Sequence, residues 1–67
     1  MKLDKQRVKY RMACKYLTMD ELQRETGLSR ATIYNVVGGK TEPLPDTLRR
    51  ICRALECEPQ DILEEVY

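Results

Sequence analysis

Residues 18–40, TMDELQRETGLSRATIYNVVGGK, carry two helix starts and two helix stops in one short stretch. Thr18 followed three residues later by Glu21 forms a capping box, in which each side chain satisfies a backbone N–H that the first turn leaves unpaired. Leu17 before the cap and Leu22 after it are spaced as a hydrophobic staple, and Gly27 can take the left-handed conformation that ends a helix. Ser29 caps a second helix, Leu28 and Ile33 repeat the staple, and the Gly38-Gly39 pair ends it. Two capped helices about three residues apart fit the helix-turn-helix arrangement that enters DNA.

The second of these helices has an inner and an outer face. At about 100° per residue, Ile33, Val36 and Val37 fall together, and the opposite direction holds Ala31 and Asn35, flanked by Thr32 and Tyr34. Arg30 stands at the helix start, between the two faces. Ala31, Asn35 and Gly38 make a stripe of small residues along which a partner can approach the backbone closely. A major groove is one such partner; another helix of the same protein is the alternative.

Working outward, 67 residues allow one small domain, expected to span 1–67. An apolar content of 42% with three glycines suits a folded helical bundle rather than a disordered chain. No apolar run approaches a membrane span and the start, MKLDKQRVK, lacks a signal-peptide block, so a cytoplasmic protein with no membrane partner is expected. Three cysteines without a CxxC pair and no histidine support neither a disulfide framework nor a zinc site. Cys14, Cys52 and Cys57 are expected to be reduced and at least partly buried.

Net charge is only +1, but it is unevenly distributed along the chain. Residues 1–19 carry Lys2, Lys5, Arg7, Lys9, Arg11 and Lys15 against Asp4, whereas residues 41–67 set Arg49, Arg50 and Arg53 against seven carboxylates. The sequence thus has a basic end that can lie along phosphates and an acidic end, although a charged helix face is often simply solvated.

The remaining elements are helical as well. Leu3-Asp4 and Val8 give a cap and a staple, and Val8, Met12, Ala13 and Tyr16 recur at helical spacing, which predicts helix one over 4–16 with Tyr10 exposed. Two prolines in Lys40-Thr41-Glu42-Pro43-Leu44-Pro45 hold off the next helix until Pro45. Leu48, Ile51, Cys52 and Leu55 form the buried stripe of helix four, and after Cys57-Glu58-Pro59 a short fifth helix over 60–66 buries Ile62, Leu63 and Val66. The fold expected is an all-α, compact five-helix bundle with the helix-turn-helix at helices two and three.

This ordered set of residues, Leu17-Thr18, Glu21-Leu22, Gly27-Leu28-Ser29, Thr32-Ile33, Val36, Gly39-Lys40, Pro43, Leu48 to Leu55 and Asp61-Ile62-Leu63, resembles one known family. It is that of the phage Cro and repressor DNA-binding domains and their bacterial relatives, the XRE-like, lambda-repressor-like helix-turn-helix domains. The resemblance implies that the helix after Ser29 is a recognition helix and that the domain binds DNA as a dimer on two half-sites. Two positions depart from the family pattern. Met19 stands where a phosphate-bonding glutamine is common, and Gln23 stands where alanine is preferred at the helix crossing.

The residues expected to meet DNA are Thr18, Ser29, Arg30, Ala31, Thr32, Tyr34, Asn35 and Lys40. An amide such as that of Asn35 bonds an adenine edge in bidentate fashion, Arg30 reaches a guanine or a phosphate, and Ala31 meets a thymine methyl. Ser29, Thr32, Tyr34 and Lys40 are placed for phosphates, which position the protein rather than specify sequence. The function expected is regulation of transcription, as a repressor, on a palindromic double-stranded operator. The competing expectation is a protein-interaction module on the same fold, motivated by Met19, Gln23 and the acidic end. No histidine, no glycine-rich phosphate loop and no nucleophile beside a base point to an enzyme, a cofactor or a small-molecule substrate. A weak homodimer is expected to form through helix five or the loop before it, where Ile62, Val66 and Tyr67 offer apolar surface.

Overall fold

The computed structural model describes residues 1–64, with α1 at Lys5–Cys14, α2 at Met19–Thr26, α3 at Arg30–Val37, α4 at Pro45–Leu55 and α5 at Pro59–Ile62. The expected five-helix order holds. Each start has a chemical cause. The Asp4 carboxylate accepts from the N–H groups of Gln6 and Arg7 at 2.9 and 3.2 Å, the Thr18 and Ser29 hydroxyls cap α2 and α3, and proline opens α4.

The stops show what the spacing missed. Helix one was expected to continue through Tyr16, yet it ends at Cys14, and Tyr16 adopts a left-handed φ of 55°. Its N–H bonds the Ala13 carbonyl at 3.1 Å and the Leu17 N–H reaches back to Met12 at 2.9 Å, the double bond pattern that closes a helix. This reversal turns Tyr16 outward, 91% exposed; Ala13, in the last turn of α1, is exposed as well, so neither joins the core. Glu56, at φ 51°, closes α4 with the Cys57 N–H bonded to Cys52 at 3.0 Å. Glycine fills the equivalent place after α2 and α3, at Gly27 and Gly39.

Val8, Leu22, Ile33, Ile51, Leu55 and Ile62 are the largest fully buried side chains, so every helix contributes to one core. Ile33, Val36 and Val37 form the inner face of α3 as expected. The buried face of α4 is rotated from the expected stripe: Thr47 and Ala54 are buried beside Ile51, Cys52 and Leu55, while Leu48 is only half-buried at its edge. Cys14 is exposed, contrary to expectation, because it lies on the outer side of α1's last turn.

Helix five is shorter than expected. At Leu63 the chain becomes extended and forms an isolated antiparallel bridge with Leu3, with Asp4 N–H to Ile62 O at 2.8 Å and Glu64 N–H to Lys2 O at 3.0 Å. Ile62 is fully buried and offers no surface to a partner; the expected roles of Val66 and Tyr67 lie outside the described residues. The fold also brings the two ends of the charge pattern together. With α1 packed on α5, Arg11 meets Asp61 at 3.4 Å and Lys15 meets Glu56 at the end of α4, so among the described residues these two cations of the basic end are paired with the acidic end.

Candidate nucleic-acid interface

The α2–α3 unit is held rigidly from behind. The Thr26 hydroxyl, buried at the end of α2, donates to the Leu22 carbonyl at 2.9 Å and accepts from the Leu28 N–H at 3.4 Å, fixing the turn between the helices. Arg50 of α4 donates to the Thr26 carbonyl at 3.2 Å and to Asp46 at 2.9 Å, supplying a donor to a helix end that would otherwise be unsatisfied. A hydrogen bond from Arg49, with Arg50 alongside, holds the Asp46 carboxyl below its usual range. Arg50 was not singled out from the sequence, where its only visible signal is the spacing four residues after Asp46.

On the front, the Thr18 hydroxyl accepts from the Glu21 N–H at 3.2 Å and the Glu21 carboxylate accepts from the Thr18 N–H at 3.0 Å. That second bond lowers the Glu21 pKa from its ordinary value. The Ser29 hydroxyl accepts from the Thr32 N–H at 3.2 Å and bonds the Thr32 hydroxyl at 2.8 Å, so both side chains serve the cap of α3. Thr32 is half-buried, whereas Thr18, Ser29, Arg30, Ala31, Asn35 and Lys40 are exposed, as is Tyr34 at 44%. Ala31, Asn35 and Gly38 are all exposed, so the small-residue stripe is not a packing face for another helix of the described chain.

Two side chains hold Arg30 in place. Its guanidinium lies over the Tyr34 ring, 5.4 Å from the centroid, and 4.0 Å from the Asp20 carboxylate at the start of α2. Asp20 is a member of the surface that sequence reasoning missed, because nothing in the chain order shows that α2's first turn faces α3's. The Asn35 side-chain amide makes no hydrogen bond among the described residues. Gly39 turns the chain so that Lys40 N–H bonds the Asn35 carbonyl at 3.0 Å, and Lys40 emerges at the end of the same helix. Met19 is half-buried against the core, and Gln23 is half-buried on α2.

A groove of about 450 Å³ runs beside this surface, between α1, the start of α2 and α3. Met12, Leu17, Met19 and Val37 form its apolar lining, and Lys5, Lys9 and Tyr34 border it. Among the described residues no cluster of histidine, cysteine or carboxylate is arranged to hold a metal, and no helix is long and apolar enough to cross a membrane. The geometry offers an exposed amide with no side-chain partner among the described residues and an exposed guanidinium steadied by Asp20 and Tyr34, on one helix, which suits recognition rather than bond-making.

Comparisons with known proteins bear on the family and the fold. A family model for the Cro/C1-type HTH DNA-binding domain matches residues 7–66. The chain is 37% identical over 54 residues to the uncharacterized HTH-type transcriptional regulator YozG of Bacillus subtilis (strain 168). That match covers 79% of this chain and 64% of the relative, so the chain spans less than two thirds of that protein's length. Among solved structures, the restriction-modification controller protein C.AhdI from Aeromonas hydrophila superposes with a TM-score of 0.73 over 85% of this chain and 86% of that one. Its sequence identity is 24%, so the likeness is one of fold.

Proposed function

The chain belongs to the Cro/C1-type helix-turn-helix DNA-binding family, and from that premise we propose that it is a sequence-specific transcriptional repressor that inserts α3 into the major groove. The observation that carries this reading is the outer face of α3: Asn35 exposed at its centre, Ala31 exposed one turn earlier on the same side, and Arg30 exposed at the helix start. Asn35 reads an adenine edge and Arg30 a guanine, while Ala31 packs against a thymine methyl. Thr18, Ser29, Thr32, Tyr34 and Lys40 hold the backbone on either side, and Lys40 contributes charge alone.

One recognition helix covers only a few base pairs, so two copies act together on a palindrome with half-sites about 34 Å apart. In this reading residues 1–67 are a single DNA-binding unit that works in the cytoplasm by occupying its operator, with no catalysis and no cofactor. Selection of bound sequences from a random DNA pool tests it directly. A palindromic consensus is the expected result. Failure to enrich any sequence, together with no salt-dependent DNA binding, would mean that the fold serves as a protein-interaction module instead.

A further inference from the structure

The basic residues of α1 divide by face. Arg7 pairs with Asp4 at 3.8 Å, Arg11 with Asp61 at 3.4 Å and Lys15 with Glu56, all on the side that packs toward α5. Lys5 and Lys9 do not follow them. Both are exposed, neither pairs with a carboxylate among the described residues, and the groove that they border has no acidic residue in its lining. Its opposite wall is Tyr34, Val37 and Gly38 of α3, and its end is Met19, the first helical residue of α2. Neutralisation along one face thus leaves the uncompensated charge of α1 at the edge of the helix-turn-helix.

We infer that Lys5 and Lys9 bind two backbone phosphates of the DNA strand that runs past the α1–α3 groove, a contact site outside the helix-turn-helix itself. Four residues apart on a helix, they lie one above the other, about 6 Å along the axis, a spacing suited to neighbouring phosphates of one strand. Their long stems lie along the groove's apolar lining while the ammonium groups stay at its rim. The Met19 side chain offers no hydrogen bond to phosphate at this corner, so the lysines supply its positive charge. Ammonium groups act here as point charges without base preference, so they add affinity and no specificity.

This inference rests on the DNA-binding reading above, and the experiment separates the two. The salt dependence of binding to the selected operator would be measured for the parent, K5Q/K9Q, K5R/K9R and R53Q. Arg53 is an exposed cation of α4 away from this groove. Removing two phosphate contacts should lower the slope of log K against log salt by about 1.8 per bound chain, so that roughly tenfold less affinity is lost between 50 and 200 mM salt. K5R/K9R and R53Q should keep the parent slope, and the ratio of matched to mismatched binding should not change in any variant. A K5Q/K9Q slope equal to the parent's, or an equal fall in R53Q, overturns the inference while leaving DNA binding intact. A changed matched-to-mismatched ratio in K5Q/K9Q also overturns it, since the lysines would then read bases. Absence of salt-dependent binding in the parent overturns the functional reading itself.

Discussion

Asn35 and Lys40 lie on either side of the Gly38-Gly39 turn, and truncating them should have different consequences. Asn35→Ala is expected to cost about 1 to 3 kcal/mol on the preferred operator and to relax base choice at one position per half-site. Lys40→Ala should weaken all sequences alike and lower the salt slope by about one unit for each phosphate contacted. Binding of both variants to matched and single-base-changed operators checks this; an unaltered ratio at every position for Asn35→Ala would remove Asn35 as a reader. The cysteines provide a second residue-level test. Burial, reinforced by the neighbouring Cys57, pushes the Cys52 thiol up to about 11, while Cys14 is exposed. Alkylation near pH 8 should therefore label Cys14 first and reach Cys52 only on unfolding, as peptide mapping would show. The exposed face of α3 was legible from 100° spacing alone. Asp20 and Arg50 were not, since their partners Arg30 and Thr26 come from other helices and only packing brings them together.

At the scale of elements, the rotation of α4 makes a graded prediction. Leu55 is 2% exposed and belongs to the core, so Leu55→Ala should cost about 2 to 5 kcal/mol, while half-buried Leu48 should cost distinctly less. Urea unfolding of the two variants would measure the difference, and equal costs would mean that Leu48 is packed as tightly as Leu55. The α2 cap predicts a dependence on pH. Because the folded-state pKa of Glu21 is lowered, its contribution is present above the ordinary carboxylate value of 4.5 and is lost as pH falls through the folded value. Glu21→Gln keeps a side-chain acceptor for the Thr18 N–H but removes the titration, so its urea midpoint should fall less steeply on acidification than the parent's. Caps and staples of α2 and α3 could be read from sequence because their partners lie three to five residues apart. The end of α1 could not, because Tyr16 continues the apolar spacing and only the backbone reversal at φ 55° turns it outward.

At the scale of the whole molecule, two chains per operator are expected, since one recognition helix lacks the contact area for useful specificity. Sedimentation of protein with its selected operator should saturate at two chains, and saturation at one would rule out the palindromic arrangement. The sequence by itself determined that the chain is all-helical, where the first four helices begin, that helices two and three form a helix-turn-helix, and which face of α3 is turned outward. Those features depend on capping and periodicity, which act between near neighbours. Tertiary structure decided that the terminal segments pair through Leu3 and Leu63, that Ile62 is sealed inside, and that α1 spends Arg11 and Lys15 on acidic residues near α5. Charge counted along the chain shows a basic end and an acidic end; folding sets them side by side, because coulombic attraction depends on distance in space and not on separation in sequence. Lys5 and Lys9 beside α3, which have no carboxylate partner among the described residues, could be identified only once those pairings were known.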